Sequence, residues 1–297
     1  MRASTKRGGA VKNLERAREW LGRVDVREDV AAPSALVTLY DLIGACERPP
    51  DIGAELPPLA HWLYFSSWTR LADTRENGEY RDPMLPPIEL PRRICAQCHI
   101  VRHRPIYVGD PISRILRIVD LAEAQGQAGP VVTLLLRCEI HDSEGPALSE
   151  TRRLVYMNNS EPWPSSQAPR PLAPAQWRRD YNASSRSLFG YAALTHDMSR
   201  VHYDRPFAVF VERHQGLVVP SEFVCALLLD LAAARAGGAR VARVAFNNRG
   251  WIYDTAPVRL RACWSAPAEI TVWAEDSSGR LAVDGLVTLE SDFARAS

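Results

Sequence analysis

No stretch of this 297-residue sequence approaches the ~20 consecutive apolar residues that a membrane-spanning helix needs. The first twenty residues are basic but hold no apolar run like the core of a secretion signal. Nor is one charge in excess: 36 Lys and Arg against 35 Asp and Glu leave no field that favours nucleic acid or an anionic membrane surface. These absences lead to the expectation of a cytoplasmic protein whose partner is a small molecule or another protein, with no nucleic acid and no membrane. Cysteine is too sparse for a disulfide framework, and six scattered through a chain of this size read as reduced, mostly buried thiols.

One cysteine cluster, "CAQCH" at residues 95–99, has the spacing of a c-type haem attachment site. Covalent haem attachment requires export and a distant axial ligand, and neither can be identified. A zinc site would want a second ligand pair at matching spacing, which does not stand out. The segment therefore reads as the start of a strand with its small residues packed inside, and no metal is expected.

The length suits two domains of about 150 residues, each able to bury a core. Residues 161–174, "EPWPSSQAPRPLAP", contain five prolines and read as an extended linker that divides the chain almost in half. On each side the order is the same: a long apolar segment (56–68 and 220–238), then β-rich runs turning at Asp-Ser-x-Gly (142–145 and 276–279). Asp initiates such turns and Gly supplies positive φ, so both read as hairpins. Residues 220–238 are apolar nearly all round, with Ser221 as a candidate N-cap and glycines beyond the last turn, and predict a buried helix. The pattern predicts an α+β chain written twice: 13–160, a linker at 161–180, and 181–297.

Residues 194–208, "LTHDMSRVHYDRPFA", concentrate titratable groups between apolar flanks. Asp197 and His202 are the candidate proton-transfer pair, with His196 and Asp204 as supporting residues; the plain alternative is a helix-end aspartate and a structural histidine. On a regular helix positions i and i+5 diverge by about 140°. The two side chains converge only if the chain leaves the helix between them, and Val201 and Pro206 favour an early helix end.

Together, "LPRRICAQCHIVRHRPIYVGD", "LFGYAALTHDMSRVHYDRPFA" and "GLVVPSEFVCALLLDLA" resemble the MaoC-like double-hotdog hydratases and dehydratases, over most of the chain. That resemblance implies an α+β double hotdog, with two antiparallel sheets each wrapped around a central helix and a further pairing into a homodimer. The related (R)-specific enoyl-CoA hydratases carry Asp-x-Asn-Pro-x-His; Asp197 and His202 keep the spacing without the intervening Asn-Pro. Residues 33–49, at the corresponding place in the first half, have no such pair, so the resemblance implies one active site per chain. Relatives commonly show His-Gly before the buried helix, where the glycine amide faces the thioester carbonyl; here Pro220 and Ser221 stand there, making the Ser221 N–H the natural donor to a developing oxyanion.

What the resemblance implies is hydration of an enoyl thioester, or dehydration of a 3-hydroxyacyl thioester, on coenzyme A or a carrier protein, with no cofactor. Arg200, Arg205, Gly216 and Val219 are the candidate substrate contacts; either arginine could instead be a solvated loop residue. Two other readings stay open at this stage: a cyclase or pericyclase that uses the hotdog cavity, and a non-catalytic acyl-thioester-binding subunit.

Overall fold

The computed structural model describes residues 14–45, 47–66, 71–159 and 173–290. After a short helix α1 (Leu14–Arg18), the first half runs β1 (Val24–Val30), α2 (Pro33–Ile43), a 3-10 turn (Ala60–Leu63), β2 (Arg92–Arg102), β3 (Pro111–Gln125), β4 (Pro130–Asp142) and β5 (Gly145–Met157). The second runs β6 (Trp177–Tyr181), α3 (Ser185–Leu194), α4 (Ser221–Ala233), β7 (Val241–Asn248), β8 (Val258–Ala266), β9 (Glu269–Glu275) and β10 (Leu281–Leu289). Both expected hairpins form: Asp142 pairs with Gly145 at the β4–β5 turn, and Asp276 caps the β9–β10 turn by accepting from the Ser278 and Arg280 N–H groups. Most of the proline-rich linker lies outside the described residues, and β6 overlaps the end of the expected 161–180 segment.

The strands lie in the order β1-β3-β4-β5-β2-β7-β10-β9-β8-β6. Read outward from the centre, β2-β5-β4-β3-β1 mirrors β7-β10-β9-β8-β6, so each half contributes five strands with one connectivity. Two details depart from expectation. The half-sheets are one continuous sheet, joined where β2 pairs antiparallel with β7 from Gln97↔Asn247 to Val101↔Arg243. Side-chain amides reinforce the seam: Gln97 Nε2 donates to Asn247 Oδ1 at 2.9 Å, and the Asn248 amide donates to the Cys95 carbonyl. "CAQCH" lies within β2, its Cys98 buried, and no metal-binding group of His, Cys, Asp and Glu occurs among the described residues.

The second departure is in the helices. Among the described residues only the second half has a full central helix. Nine of the thirteen residues of α4 are buried, and it packs against β8, β9 and β10. Phe223, fully buried, lies between the rings of Tyr191 and Tyr181. In the first half the corresponding place in chain order holds one 3-10 turn, because Pro57 and Pro58 interrupt the apolar run and Leu59 (φ 68°) and Phe65 (φ 65°) are left-handed on either side of it. A helix of α4's length would cover the concave face of β3, β4, β5 and β2; its reduction leaves a cavity there.

Candidate active site

Asp197 is placed by the end of α3. Ser184 and Ser187 form a reciprocal capping box at the start of that helix. At its end, Asp197 N–H donates to the Ala192 carbonyl (2.8 Å) and His196 N–H to Ala193 (3.4 Å), with His196 left-handed at φ 56°. This is a Schellman motif with histidine where glycine is usual. The chain thus leaves the helix before Asp197, not between Asp197 and His202 as the sequence suggested. Asp197 Oδ1 then accepts from Ser199 N–H at 2.9 Å, and a 3-10 turn at Arg200–His202 swings the histidine back.

His202 Nε2 lies 3.4 Å from Asp197 Oδ2, and its Nδ1 lies 2.8 Å from the Val218 carbonyl. A carbonyl can only accept, so Nδ1 is the ring nitrogen that donates, and Nε2 is the one turned toward Asp197. The turn is pinned from the other side by Val218 N–H donating to the Val201 carbonyl at 2.9 Å. In the neutral form of the ring, Nε2 and the Asp197 oxygen are both acceptors, an arrangement that one water can bridge by donating a hydrogen to each.

A loop of the first half fixes this segment. Arg200 N–H donates to the Asn77 carbonyl (2.9 Å), and a Cβ at Gly78 (φ 85°) would lie 1.9 Å from the Met198 carbonyl oxygen. Gly78→Ala should push residues 198–200 away and lower turnover by about 10², the cost of misplacing reacting groups by roughly 1 Å. Steady-state kinetics on the folded variant checks this.

Asp197, His202, Val219 and Ser221 line one cavity of about 500 Å³ that draws its walls from both halves. Pro220, not Ser221, is the N-cap of α4. Ser221 is the first helical residue, and its hydroxyl hydrogen-bonds Glu222 Oε2 at 2.9 Å. A first-turn N–H has no partner within its own helix, so the Ser221 amide sits at the positive end of α4. Two residues of chain, Val219 and Pro220, separate it from the carbonyl that orients His202.

Arg200, Arg205 and Gly216 stand outside the cavity wall. Arg200 is held by Asp204 (2.7 Å) and stacks over Phe207 at 4.1 Å, while Arg205 pairs with Asp254. Gly216 lies under that second pair, where a Cβ would meet Asp254 Oδ1 at 2.7 Å. These ion pairs hold both arginines beside the turns. His196 lines the cavity, and Asp204 caps the turn after it by accepting from Phe207 N–H at 3.1 Å.

What the sequence reading missed is the wall supplied by the first half. Glu150, Arg152 and Leu154 alternate along β5 onto the cavity face, and Arg92, Arg93, Ile94 and Cys95 at the start of β2 line it as well. Glu150 is buried and accepts from Trp62 Nε1 (3.0 Å) and Arg152 Nε (2.6 Å), with His61 Nε2 at 3.2 Å. Burial opposes its ionisation, but the Arg152 cation and the His61 contact outweigh it and hold the carboxyl at about 2. The available signal was a Glu and an Arg two residues apart in a strand, hence on one face, between apolar Leu148 and Leu154.

His214 lines the same cavity, edge-on to Trp251. Burial, with the Arg92 charge, depresses its pKa to about 4. Between that value and the ~6.5 of an unfolded histidine the unfolded chain binds more protons, so this group's contribution is intact above pH ~6.5 and is lost as pH falls toward 4. His214→Asn should flatten that part of the stability curve, measured by denaturant titration from pH 7 to 4.

The family model for hydroxyacyl-thioester dehydratase type 2 matches residues 59–254, spanning the cavity walls of both halves. This chain belongs to that family. It is 32% identical over 250 residues to the mesaconyl-C(4)-CoA hydratase of Chloroflexus aurantiacus, covering 82% of this chain and 87% of the relative. Among solved structures it resembles a MaoC-like dehydratase from Phytophthora capsici (TM-score 0.67, 12% identity, 94% of this chain and 99% of that one). It also resembles HtdX of Mycobacterium tuberculosis (TM-score 0.63, 15% identity, 89% and 99%). As a type 2 hydroxyacyl-thioester dehydratase the chain is a hydro-lyase with the double-hotdog fold, and no described helix is long and apolar enough to cross a membrane.

Proposed function

We propose that the protein adds water across the double bond of an enoyl-CoA, or removes it from a 3-hydroxyacyl-CoA, through Asp197, His202 and the Ser221 amide. The observation that carries this reading is the convergence of the His202 Nε2 lone pair and an Asp197 oxygen, 3.4 Å apart, on a cavity that the α4 N-terminus also lines. In the hydration direction a water held by the pair gives one proton to His202 as its oxygen bonds to the β-carbon. The electron pair of the double bond moves onto the thioester oxygen, which the Ser221 N–H faces. The enolate collapses as the pair returns a proton to the α-carbon, leaving no net proton on the enzyme. Coenzyme A as the carrier is supported by the name of the Chloroflexus relative.

On this reading the second half, residues 181–297, supplies the chemistry, and the first, 13–160, supplies the far wall. The test is incubation of the purified protein with crotonyl-CoA in ¹⁸O-labelled water. The reading expects 3-hydroxybutyryl-CoA bearing one labelled oxygen, and recovery of unchanged enoyl-CoA from a panel of chain lengths and branched or carboxylated acyl groups would contradict it.

A further inference from the structure

Among the described residues, Trp62 alone lines both the catalytic cavity and a second cavity of about 90 Å³. Leu39 and Ile43 of α2, Leu63, Tyr191, and Ala226 and Leu229 of α4 wall this second space, so it is largely apolar. Of its charged members, Asp230 is held by Arg179 and Glu47 is exposed. The indole that stands between the two spaces is fixed in place. Its Nε1 donates to Glu150 Oε1 at 3.0 Å, the Arg152 guanidinium lies 5.0 Å from the ring, and the His61 ring is tilted against it at 5.7 Å.

Helix α4 connects the two spaces. Ser221 and Glu222 line the catalytic cavity, and Ala226, Leu229 and Ala233 line the second, so Glu222, Ala226, Leu229 and Ala233 form one face of the helix. That face starts beside the Ser221 amide, the candidate donor to the thioester oxygen, and runs away from it. An acyl chain whose carbonyl sits at this amide and whose tail follows α4 meets the indole between Glu222 and Ala226. A tryptophan that only filled a core would have packed neighbours on both faces, because protein interiors leave few voids larger than a water. Trp62 instead is half-buried, with open space on two sides.

We propose that Trp62 determines acyl-length specificity: its indole is a partition that stops the acyl chain, and the apolar space beyond is an extension of the site that the ring withholds. The inference rests on the cavity being an acyl-thioester site. It is read from the binding of saturated thioesters, so its outcome is separable from that of the reaction.

Calorimetry would compare butyryl-CoA with octanoyl-CoA, which differ only in chain length and have no double bond to hydrate. The wild-type protein should bind octanoyl-CoA no more tightly than butyryl-CoA. Trp62→Ala should bind it about tenfold or more tightly, the gain from burying about two methylenes. Trp62→Gln removes the ring but keeps an N–H to donate to Glu150; it should shift the ratio in the same direction and covers the case in which the alanine variant does not fold. Ala226→Phe, added to Trp62→Ala, fills the space beyond the ring and should return the ratio to the wild-type value, which a general loosening of the cavity would not do. A wild-type preference for octanoyl-CoA, a ratio unchanged in both Trp62 variants, a gain that survives Ala226→Phe, or no binding of either ligand would overturn the proposal. A length shift at Trp62 in a protein that fails to hydrate enoyl-CoAs would instead sink the proposed reaction and leave the partition standing.

Discussion

His202→Ala should lower the rate of enoyl-CoA hydration by about 10² or more, with the fold intact, and Asp197→Asn should do the same. The two losses have different origins. Alanine removes the lone pair that takes the water proton. Asparagine keeps the shape and can still accept from Ser199 N–H, as Asp197 Oδ1 does at 2.9 Å, but it carries no charge to stabilise the imidazolium. Its NH₂ would also donate toward Nε2 and occupy the lone pair meant for water. Neither side chain is in the core: Asp197 is 42% accessible and His202 13%, so loss of stability does not explain the loss of rate. Near-normal turnover in both variants would remove the pair from the mechanism.

Ser221→Pro should cost about 10²–10³ in turnover, the effect of deleting one oxyanion donor, whereas Ser221→Ala should stay active because its amide survives. The backbone permits the proline. The position is the first of α4, where an N–H has no helical partner and proline is tolerated. The preceding Pro220 already has φ −56° and ψ 134°, the extended conformation a following proline requires. Circular dichroism on both variants separates misfolding from loss of the donor. A severe loss in Ser221→Ala would move the role to the hydroxyl, and full activity in a folded Ser221→Pro would place the thioester oxygen elsewhere.

The duplication was legible in the sequence because local chemistry writes it: Asp142 and Asp276 start turns that Gly145 and Gly279 complete, and α4 is apolar nearly all round. The fusion into a single sheet was not, since β2 and β7 meet through residues 150 apart, such as Gln97 and Asn247. Pro57 and Pro58 announced the missing first helix but were overridden by the apolar count around them. In the site, the Asp197 and His202 spacing was readable, although the Schellman turn at His196 was not, because histidine is an unusual left-handed residue. Arg205 is a candidate substrate contact by its closeness to the pair in sequence, whereas its ion-pair partner, Asp254, lies 49 residues away and could not be read there. Arg152 drew none, since a charged residue in a strand reads as solvent-facing until the fold shows which face is enclosed.

The most direct test of the central claim, that Asp197 and His202 act on one water, is the turnover of the double variant Asp197→Asn/His202→Ala beside its two single variants. Groups that serve a single water fail together, so the account predicts a double variant within about threefold of the slower single. Losses that multiply, to about 10⁴ or beyond, would show two independent contributions and contradict the shared water.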